Sequence, residues 1–169
     1  MAAGYLAFAL VLVVARPTLE SLLVAAPIAL AGEALRIWAS GHIEKTLALA
    51  TGGPYAHTRN PLYVGSALLA LAAGVATASP WAVAALMAYL ALFYPSVIRE
   101  EAAFLRTKFG AEYAQWERDV PLFIPRPTPG GPRASRFLWS RVSRNREWRT
   151  LAALPLAFAL LWARGAYLP

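Results

Sequence analysis

Most of the side chains that could do chemistry lie in one turn rich in glycine and proline, at residues 51–65. The glycines and the first proline of this turn oppose a helix, so the backbone is expected to change direction there. Two adjacent carboxylates, Glu100 and Glu101, form a second polar group further along the chain. The side chains of the turn that could contact a ligand are Tyr55, His57, Arg59 and Tyr63.

The end of this turn carries the signal of a helix start. Asn60 suits the N-cap position, where its side chain can accept a hydrogen bond from a free backbone amide, and Pro61 suits the first helical position. A helix N-terminus beside Arg59 favours an anion such as a carboxylate. Glu100 and Glu101 favour a cation or sugar hydroxyls, so the pattern predicts a ligand that carries both kinds of group. The structural alternatives are an interfacial loop anchored by tyrosine and arginine, or a salt-bridge cluster of glutamate and arginine.

The composition is that of a membrane protein. The chain has 169 residues, 59% hydrophobic and 15% charged, which is too apolar for an ordinary soluble protein and fits one domain over 1–169. It contains no cysteine, which excludes disulfides, thiol nucleophiles and iron–sulfur clusters. Its two histidines, His42 and His57, form no zinc-type cluster, so no metal site is predicted. The first apolar run has no basic region before it and is expected to be a span, not a cleaved signal peptide.

Apolar runs separated by helix breakers predict an all-α, polytopic membrane fold with about five transmembrane helices. Pro27 is expected to kink the second helix, and Pro95 to bend the fourth near its exit. Only Ser79 and Pro80 separate the third and fourth runs, which predicts a tight helical hairpin over 62–98. The last run is short enough for either a fifth span or a re-entrant helix. The runs are 2–15, 18–40, 62–78, 80–98 and 150–164.

After the fourth run the sequence becomes amphipathic, over about 100–120. Apolar residues recur there at helical spacing, while charged residues take the other faces. This predicts a cytosolic helix lying in the membrane interface, weakened in its middle by Gly110. The basic stretch 126–149, with phenylalanine and tryptophan interleaved, is suited to contact anionic lipid headgroups. The apolar stripe consists of Leu105, Phe109, Tyr113 and Trp116.

The distribution of charge predicts the orientation. With five spans, fourteen of the sixteen Lys and Arg residues fall on one side of the membrane, and only Arg16 and Arg164 on the other. The positive-inside rule then places residues 40–61 and 99–149 in the cytosol. A net charge of +7 that lies beside apolar spans fits a membrane surface better than nucleic acid.

One pair of ionisable residues lies within a predicted span. Glu33 and Arg36 are three residues apart and therefore share one face of the second helix. Ionisable groups in a span are functional candidates by default, and a structural ion pair is the alternative.

The two polar motifs together resemble a known family. Arg59-Asn60-Pro61-Leu62-Tyr63, followed after a spacer by Glu100 and Glu101, is similar to the signature Arg-His-Pro-x-Tyr and Glu-Glu. That signature belongs to the isoprenylcysteine carboxyl methyltransferase family and its phospholipid N-methyltransferase relatives. These are polytopic membrane enzymes that use S-adenosylmethionine. The resemblance covers about residues 30–125, and Asn60 stands where the commonest form of the motif has histidine.

The resemblance implies a cofactor site between the start of the third span, the end of the fourth and the amphipathic segment. It places Glu100 and Glu101 where they would hold amino or ribose groups of the cofactor. From the chemistry of the reaction, Arg59 is expected to orient a carboxylate substrate, and Glu101 or His57 to accept a proton from an amine substrate. The residue chemistry agrees, because a sulfonium and an ammonium attract carboxylates while the cofactor's own carboxylate favours a helix N-terminus. The cofactor-binding residues that the resemblance implies are Tyr55, His57, Asn60, Pro61, Tyr63, Glu100 and Glu101.

The expected function is methyl transfer from S-adenosylmethionine to a lipophilic acceptor from the bilayer, with an isoprenylcysteine-like carboxylate as first choice. The amine of a phospholipid is the alternative acceptor. Two further classes are a nicotinamide-dependent enzyme similar to sterol reductases, which would bind reduced nicotinamide, and a non-catalytic lipid-binding scaffold. The scaffold predicts that Glu100→Ala and Arg59→Ala leave the activity in cells intact. The expected partners are a lipidated or small lipophilic substrate and membrane lipids, without nucleic acid or an obligate protein partner.

Overall fold

A computed structural model of the chain describes residues 15–44, 47–131 and 135–167. Every regular element in these residues is a helix, as the all-α prediction requires. The predicted first span, 2–15, lies outside the described residues except for its last residue. The elements in chain order are α1 (Leu19–Ser40), a 3₁₀ turn (Gly53–Ala56), α2 (Pro61–Ala76), α3 (Pro80–Asp119), α4 (Trp139–Arg144) and α5 (Trp148–Tyr167).

Three of these helices, α1, α3 and α5, are long and apolar enough to cross a membrane. Helix α2 is apolar but has only 16 residues, about 24 Å at 1.5 Å per residue. Helix α5 has 20 residues, so the last run has the length of a full span and not only of a re-entrant segment. The described residues therefore contain three full-length candidate spans and one short one.

Helix α1 begins with a capping box. The backbone amide of Ser21 donates to the Thr18 hydroxyl at 3.1 Å, and the amide of Thr18 donates to the Ser21 hydroxyl at 3.0 Å. The helix then continues through Pro27 to Ser40. The hairpin between α2 and α3 also starts as predicted, since Ser79 caps α3 and Pro80 opens it.

Small residues bring α1 and α2 close together. A Cβ atom added to Gly32 would lie 2.9 Å from the carbonyl oxygen of Gly65, so only glycine permits this approach. The close contact places Arg36 of α1 beside Ser66 of α2, and the Arg36 guanidinium donates to the Ser66 hydroxyl. The buried core of this layer consists of Ala15, Leu22, Ala25, Ala29, Ala72, Ala76 and Leu161.

The two ends of the bundle differ in chemistry. At one end the backbone amide of Arg16 donates to the carbonyl of Thr77 at 3.0 Å, and Arg164 donates to the carbonyl of Ala15. At the other end, the end of α1 lies near the starts of α2 and α5. The side chain of Asn145 donates there to the carbonyl of Ser40 at 2.9 Å. We call this second end the site end, because the motif residues lie there.

Helix α3 differs from the prediction in its boundaries. The predicted fourth span and the predicted amphipathic helix form one helix to Asp119, and the break falls at Gly110 (φ 49°, ψ −118°), not near Glu100. No proline or glycine lies between Pro95 and Gly110, and the helix continues through Pro95. The two residues of the apolar stripe that follow Gly110 are buried, since Tyr113 and Trp116 are each 2% exposed. These aromatic rings therefore face protein and not lipid.

Gly110 provides a test of this break. A Cβ atom there would meet nothing within 4 Å, so the glycine is required by its backbone conformation and not by space. We expect Gly110→Ala to lower the free energy of unfolding by about 1–3 kcal/mol, measured by thermal unfolding in detergent. If Gly110 were only a weak point in a regular helix, alanine would instead stabilise the protein by about 1 kcal/mol, and a rise in melting temperature would contradict the observed break.

Candidate active site

A cavity of about 540 Å³ lies at the site end, between α1, the turn that precedes α2, α2 itself and the middle of α3. Its volume falls in the range of small-molecule sites. The lining combines apolar side chains with polar and aromatic ones. The polar and aromatic lining residues are Arg36, Glu44, Tyr55, Arg59, Asn60, Tyr63, Ser66, Tyr94, Glu101, Phe104, Lys108, Phe109, Tyr113 and Trp116.

The turn that forms one wall is held by the loop that follows α3. Three backbone groups at residues 56–59 pair with backbone groups at residues 121–130, which gives the irregular turn hydrogen-bond partners outside itself. Trp116 adds a further bond, because its indole nitrogen donates to the carbonyl of Tyr55 at 3.0 Å. The backbone pairs are Arg59 N to Pro121 O (2.9 Å), Arg126 N to His57 O (3.0 Å) and Gly130 N to Ala56 O (2.8 Å).

His57 belongs to this backbone pairing and does not line the cavity. Its ring nitrogen Nδ1 lies 2.8 Å from the carbonyl oxygen of Arg126, whose own amide donates to the carbonyl of His57. The His57 ring also lies near the ring of Trp38, with the two ring centroids 6.4 Å apart. The structure thus places His57 where it joins the turn to the loop, not where it could contact a ligand directly.

Asn60 and Pro61 both line the cavity at the start of α2. Pro61 takes the first helical position as predicted. The predicted side-chain cap is wrong, because the Asn60 side chain makes no hydrogen bond to the helix. Its amide nitrogen instead donates to the carbonyl oxygen of Leu122 at 2.8 Å, which satisfies a loop carbonyl. The first amides of α2 are left without a side-chain cap at the edge of the cavity.

Arg59 lines the cavity and is paired with Glu117. It also lies 3.4 Å from the Tyr113 hydroxyl, and its Nε atom is buried without a hydrogen-bond partner among the described residues. Glu117 is shared, because Arg106 donates to it at 3.0 Å and 2.6 Å. These hydrogen bonds, from Arg106 first and then from Arg59, hold the pKa of the Glu117 carboxyl below its ordinary value.

The two adjacent glutamates lie in different environments. Both are exposed, but only Glu101 lines the cavity, where it accepts a hydrogen bond from the Tyr63 hydroxyl at 3.1 Å, and Glu100 lies outside the lining. Neighbouring residues of a helix point about 100° apart, and at this position of α3 Glu101 faces the cavity while Glu100 does not. Glu101 makes no ion pair within the described part of the chain, and the predicted cluster of Arg59 with these glutamates is replaced by Arg59 with Glu117. Tyr63 packs edge-on against Tyr94, with ring centroids 5.0 Å apart.

Tyr55 forms the buried base of the turn. It is 7% exposed and packs with Leu49, Tyr113 and Trp116 in the second core cluster. Burial is the main cause that raises the pKa of its phenol well above the ordinary value. Tyr55 therefore lines the cavity with a neutral aromatic side chain.

Several cavity residues were not identified from the sequence. The sequence predicts only a pairing of Arg36 with Glu33. In the structure Glu33 lies 4.0 Å from Arg36 Nε, whereas Glu147 lies closer, 2.6 Å from Arg36 Nη2. Ser66 follows Tyr63 by three residues and so shares its helix face, which is a signal that the spacing rule could have supplied. The other unpredicted lining residues with polar groups are Glu44, Tyr94 and Lys108.

The fold and the cavity together define a helical membrane protein with a ligand-sized site at one end of its bundle. A family model described as phospholipid methyltransferase matches residues 1–112, and the chain belongs to this family, which indicates a membrane methyltransferase. The chain is 42% identical over 93 residues to the cobalt-zinc-cadmium resistance protein CzcN of Cupriavidus metallidurans. It is 38% identical over 93 residues to the nickel-cobalt-cadmium resistance protein NccN of Alcaligenes xylosoxydans xylosoxydans.

Both matches cover 54% of this chain and 43% of the relative. This chain therefore aligns with less than half of the length of each of these relatives. No solved structure matches it.

The shared carboxylate of Glu117 gives a prediction for pH. Because its pKa is lowered in the folded protein, Glu117 stabilises the fold above its ordinary pKa of 4.5, and this contribution is lost as the pH falls through the lower folded value. We expect Glu117→Gln to cost about 1 kcal/mol near neutral pH, since both partners are partly solvated. The difference from the native protein should shrink below pH 4.5, as measured by melting temperature.

The exposed Glu112, on the same helix, is the matched control. We expect Glu112→Gln to leave the melting temperature unchanged at every pH. A cost of Glu117→Gln that stayed constant from neutral to acidic pH would contradict the ion-pair assignment.

Proposed function

We propose that this chain transfers a methyl group from S-adenosylmethionine to a lipophilic acceptor that reaches the cavity from the bilayer. The observation that carries the proposal is Glu101, a carboxylate that makes no ion pair with any described residue and lies in a ligand-sized cavity rich in aromatic side chains. Such a site favours a cation, because the carboxylate supplies charge and the aromatic faces supply cation–π contacts. Membership of the phospholipid methyltransferase family supports the same reaction class.

The residues present fit this cofactor. S-adenosylmethionine supplies an activated methyl group on a sulfonium when it is bound. Glu101 would hold its positively charged groups, and Tyr63 would fix the Glu101 side chain through the hydrogen bond of 3.1 Å. The uncapped start of α2, with Asn60 and Pro61 on the lining, would favour its carboxylate. The aromatic walls would exclude water, and alignment in a dry site supplies most of the help that methyl transfer needs.

The amine of a phospholipid is the acceptor that we favour. An amine must lose its proton before it attacks the methyl group, and Glu101 is a carboxylate in the cavity that can accept the proton. The description of the matched family as phospholipid methyltransferase supports this choice.

An isoprenylcysteine-like carboxylate is the second candidate acceptor. The buried Arg59 Nε, which has no hydrogen-bond partner in the described part of the chain, favours it, since that nitrogen could donate to a carboxylate. It requires Arg59 to orient the acceptor while Glu117 remains on Arg106.

We also propose that the site end faces the cytosol. Arg36 and Arg59 lie on this cavity, while Arg16 and Arg164 lie at the opposite end with Ala15 and Thr77. Together with the fourteen Lys and Arg residues expected on one side, this distribution supports an inward-facing site.

Binding of the cofactor tests the proposal directly. We expect purified protein in detergent to bind S-adenosylmethionine and S-adenosylhomocysteine saturably in calorimetric titrations. Glu101→Gln should weaken binding about tenfold or more, because a hydrogen bond or ion pair to a charged group is lost. Tyr63→Phe should weaken it by a smaller factor, since Glu101 remains but is less well held.

Two further variants serve as comparisons. Glu112→Gln removes the same charge at an exposed position away from the cavity and should bind as the native protein does. Glu100→Gln tests the second carboxylate of the motif, and its position outside the lining predicts a smaller loss than that of Glu101→Gln. Well-folded native protein that binds neither compound would overturn the proposal.

The acceptor is tested with labelled cofactor in mixed micelles. Transfer to phosphatidylethanolamine, but not to phosphatidylglycerol or a farnesylated N-acetylcysteine, would support the amine. Transfer to the farnesylated carboxylate, lost in Arg59→Gln, would support the second candidate. If binding and transfer are absent and Arg59→Ala leaves the activity in cells intact, the chain acts as a lipid-binding scaffold.

The curated relatives are named for metal resistance, and this suggests a second measurement in cells. We propose that any contribution of this chain to cobalt or cadmium tolerance acts through methyl transfer. Tolerance should then be lost in Glu101→Gln and kept in Glu112→Gln, and tolerance kept in both variants would contradict this link.

A further inference from the structure

We infer that Glu147, at the start of α5, is a positioning residue that orders one wall of the cavity through Arg36 and Ser66. This inference rests on the proposed function, because it concerns the same cavity. Glu147 does not line the cavity and lies beyond the residues 1–112 that the family model matches. It is therefore a contribution of this chain's C-terminal segment to the site.

The first step is a buried contact between two helices that are far apart in sequence. Glu147 is 5% exposed, and its Oε1 atom accepts from Arg36 Nε at 2.7 Å and lies 2.6 Å from Nη2. A guanidinium that donates through two nitrogens is fixed in orientation as well as in position. Asn145 secures the same segment by donating to the carbonyl of Ser40 at the end of α1.

The second step leads from Arg36 into the cavity. With Nε and Nη2 held by Glu147, the remaining nitrogen, Nη1, donates to the Ser66 hydroxyl. Ser66 in turn donates to the carbonyl of Leu62, the residue before Tyr63, at 2.9 Å. Arg36, Ser66 and Tyr94 all line the cavity.

The third step connects this wall with Glu101. Tyr94 packs edge-on against Tyr63, whose hydroxyl donates to Glu101. The contacts thus run from Glu147 through Arg36 and Ser66 to the backbone of α2 next to Tyr63, whose hydroxyl reaches the carboxylate proposed to hold the cofactor. An ion pair that only tied α5 to α1 would not need a hydrogen bond from Arg36 to a serine of the cavity wall.

The test is a double-mutant cycle on the affinity for S-adenosylhomocysteine. We expect Glu147→Gln to weaken binding about five- to tenfold, and Ser66→Ala by a similar factor. The two together should weaken it no more than the larger single loss, because both interrupt the same path. The controls are Glu112→Gln and Ser96→Ala, at exposed positions of α3 away from the cavity, and both should bind normally.

Thermal unfolding of each variant separates this role from a purely structural one. A Glu147→Gln protein with a lowered melting temperature but native affinity would overturn the inference, and so would losses that simply add. Ser66→Ala keeps the ion pair intact and adds a good helix former, so it remains informative if Glu147→Gln fails to fold.

Failure of the proposed function would be recognised separately, as native protein that binds no S-adenosylhomocysteine. Hydrogen–deuterium exchange of residues 61–70 in unliganded protein would then test whether Glu147 and Ser66 order this part of α2. Faster exchange in both Glu147→Gln and Ser66→Ala would support the path, and exchange equal to that of the native protein would overturn it.

Discussion

The site depends on the hydrogen bonds between the turn at 56–60 and the loop at 121–130. A turn of irregular backbone at the edge of a membrane needs partners for its amides and carbonyls, because neither lipid nor a neighbouring helix supplies them. The loop after α3 provides these partners, with Pro121, Arg126 and Gly130 as backbone contacts. This pairing fixes where α2 begins, and the start of α2 fixes the position of Tyr63 relative to α3. Without it, Asn60 and Pro61 would have no defined place on the cavity.

Charge pairing sets the electrostatics of the cavity wall that carries Glu101. Three arginines near the site are matched by carboxylates: Arg36 by Glu147, Arg59 by Glu117 and Arg141 by Glu44. Glu101, in contrast, has only the Tyr63 hydroxyl as a hydrogen-bond partner in the described residues. Since a charge that is already paired attracts a ligand less than one that is not, the uncompensated group of this wall is the carboxylate of Glu101.

The helices and the two motifs could be predicted from the sequence because their signals are local. Apolar runs, Ser79 with Pro80, and the glycines of the turn act on their own neighbourhood, and the predicted runs 18–40, 62–78 and 150–164 lie close to the observed bounds of α1, α2 and α5. The break in α3 was displaced because the amphipathic pattern begins near Glu100, while the backbone changes only at Gly110. Amphipathicity shows which face of a helix is apolar, but not whether that face meets lipid or protein side chains such as those of Tyr55 and Leu49.

The contacts that distinguish neighbouring residues were not predictable, because they depend on distant segments. Whether Glu100 or Glu101 faces the cavity depends on the rotation of α3 against α2. The partner of Asn60 is a carbonyl 62 residues away, and the partner of Arg36 a carboxylate 111 residues away. No spacing rule connects residues over such distances. Spacing could, however, have indicated Ser66, which lies on the same helix face as Tyr63.

The cavity is completed by residues beyond the part that the family model matches. Most of the lining lies between Arg36 and Phe109, but Tyr113 and Trp116 close it, and the loop at 121–130 and Glu147 hold its walls. The part that the family model matches therefore carries most of the cavity lining, while the residues after it hold the walls in place. Substitutions in that segment would then alter affinity without touching the ligand, and a C-terminal segment of different sequence would adjust the cavity for a different acceptor while leaving the Glu101 wall in place.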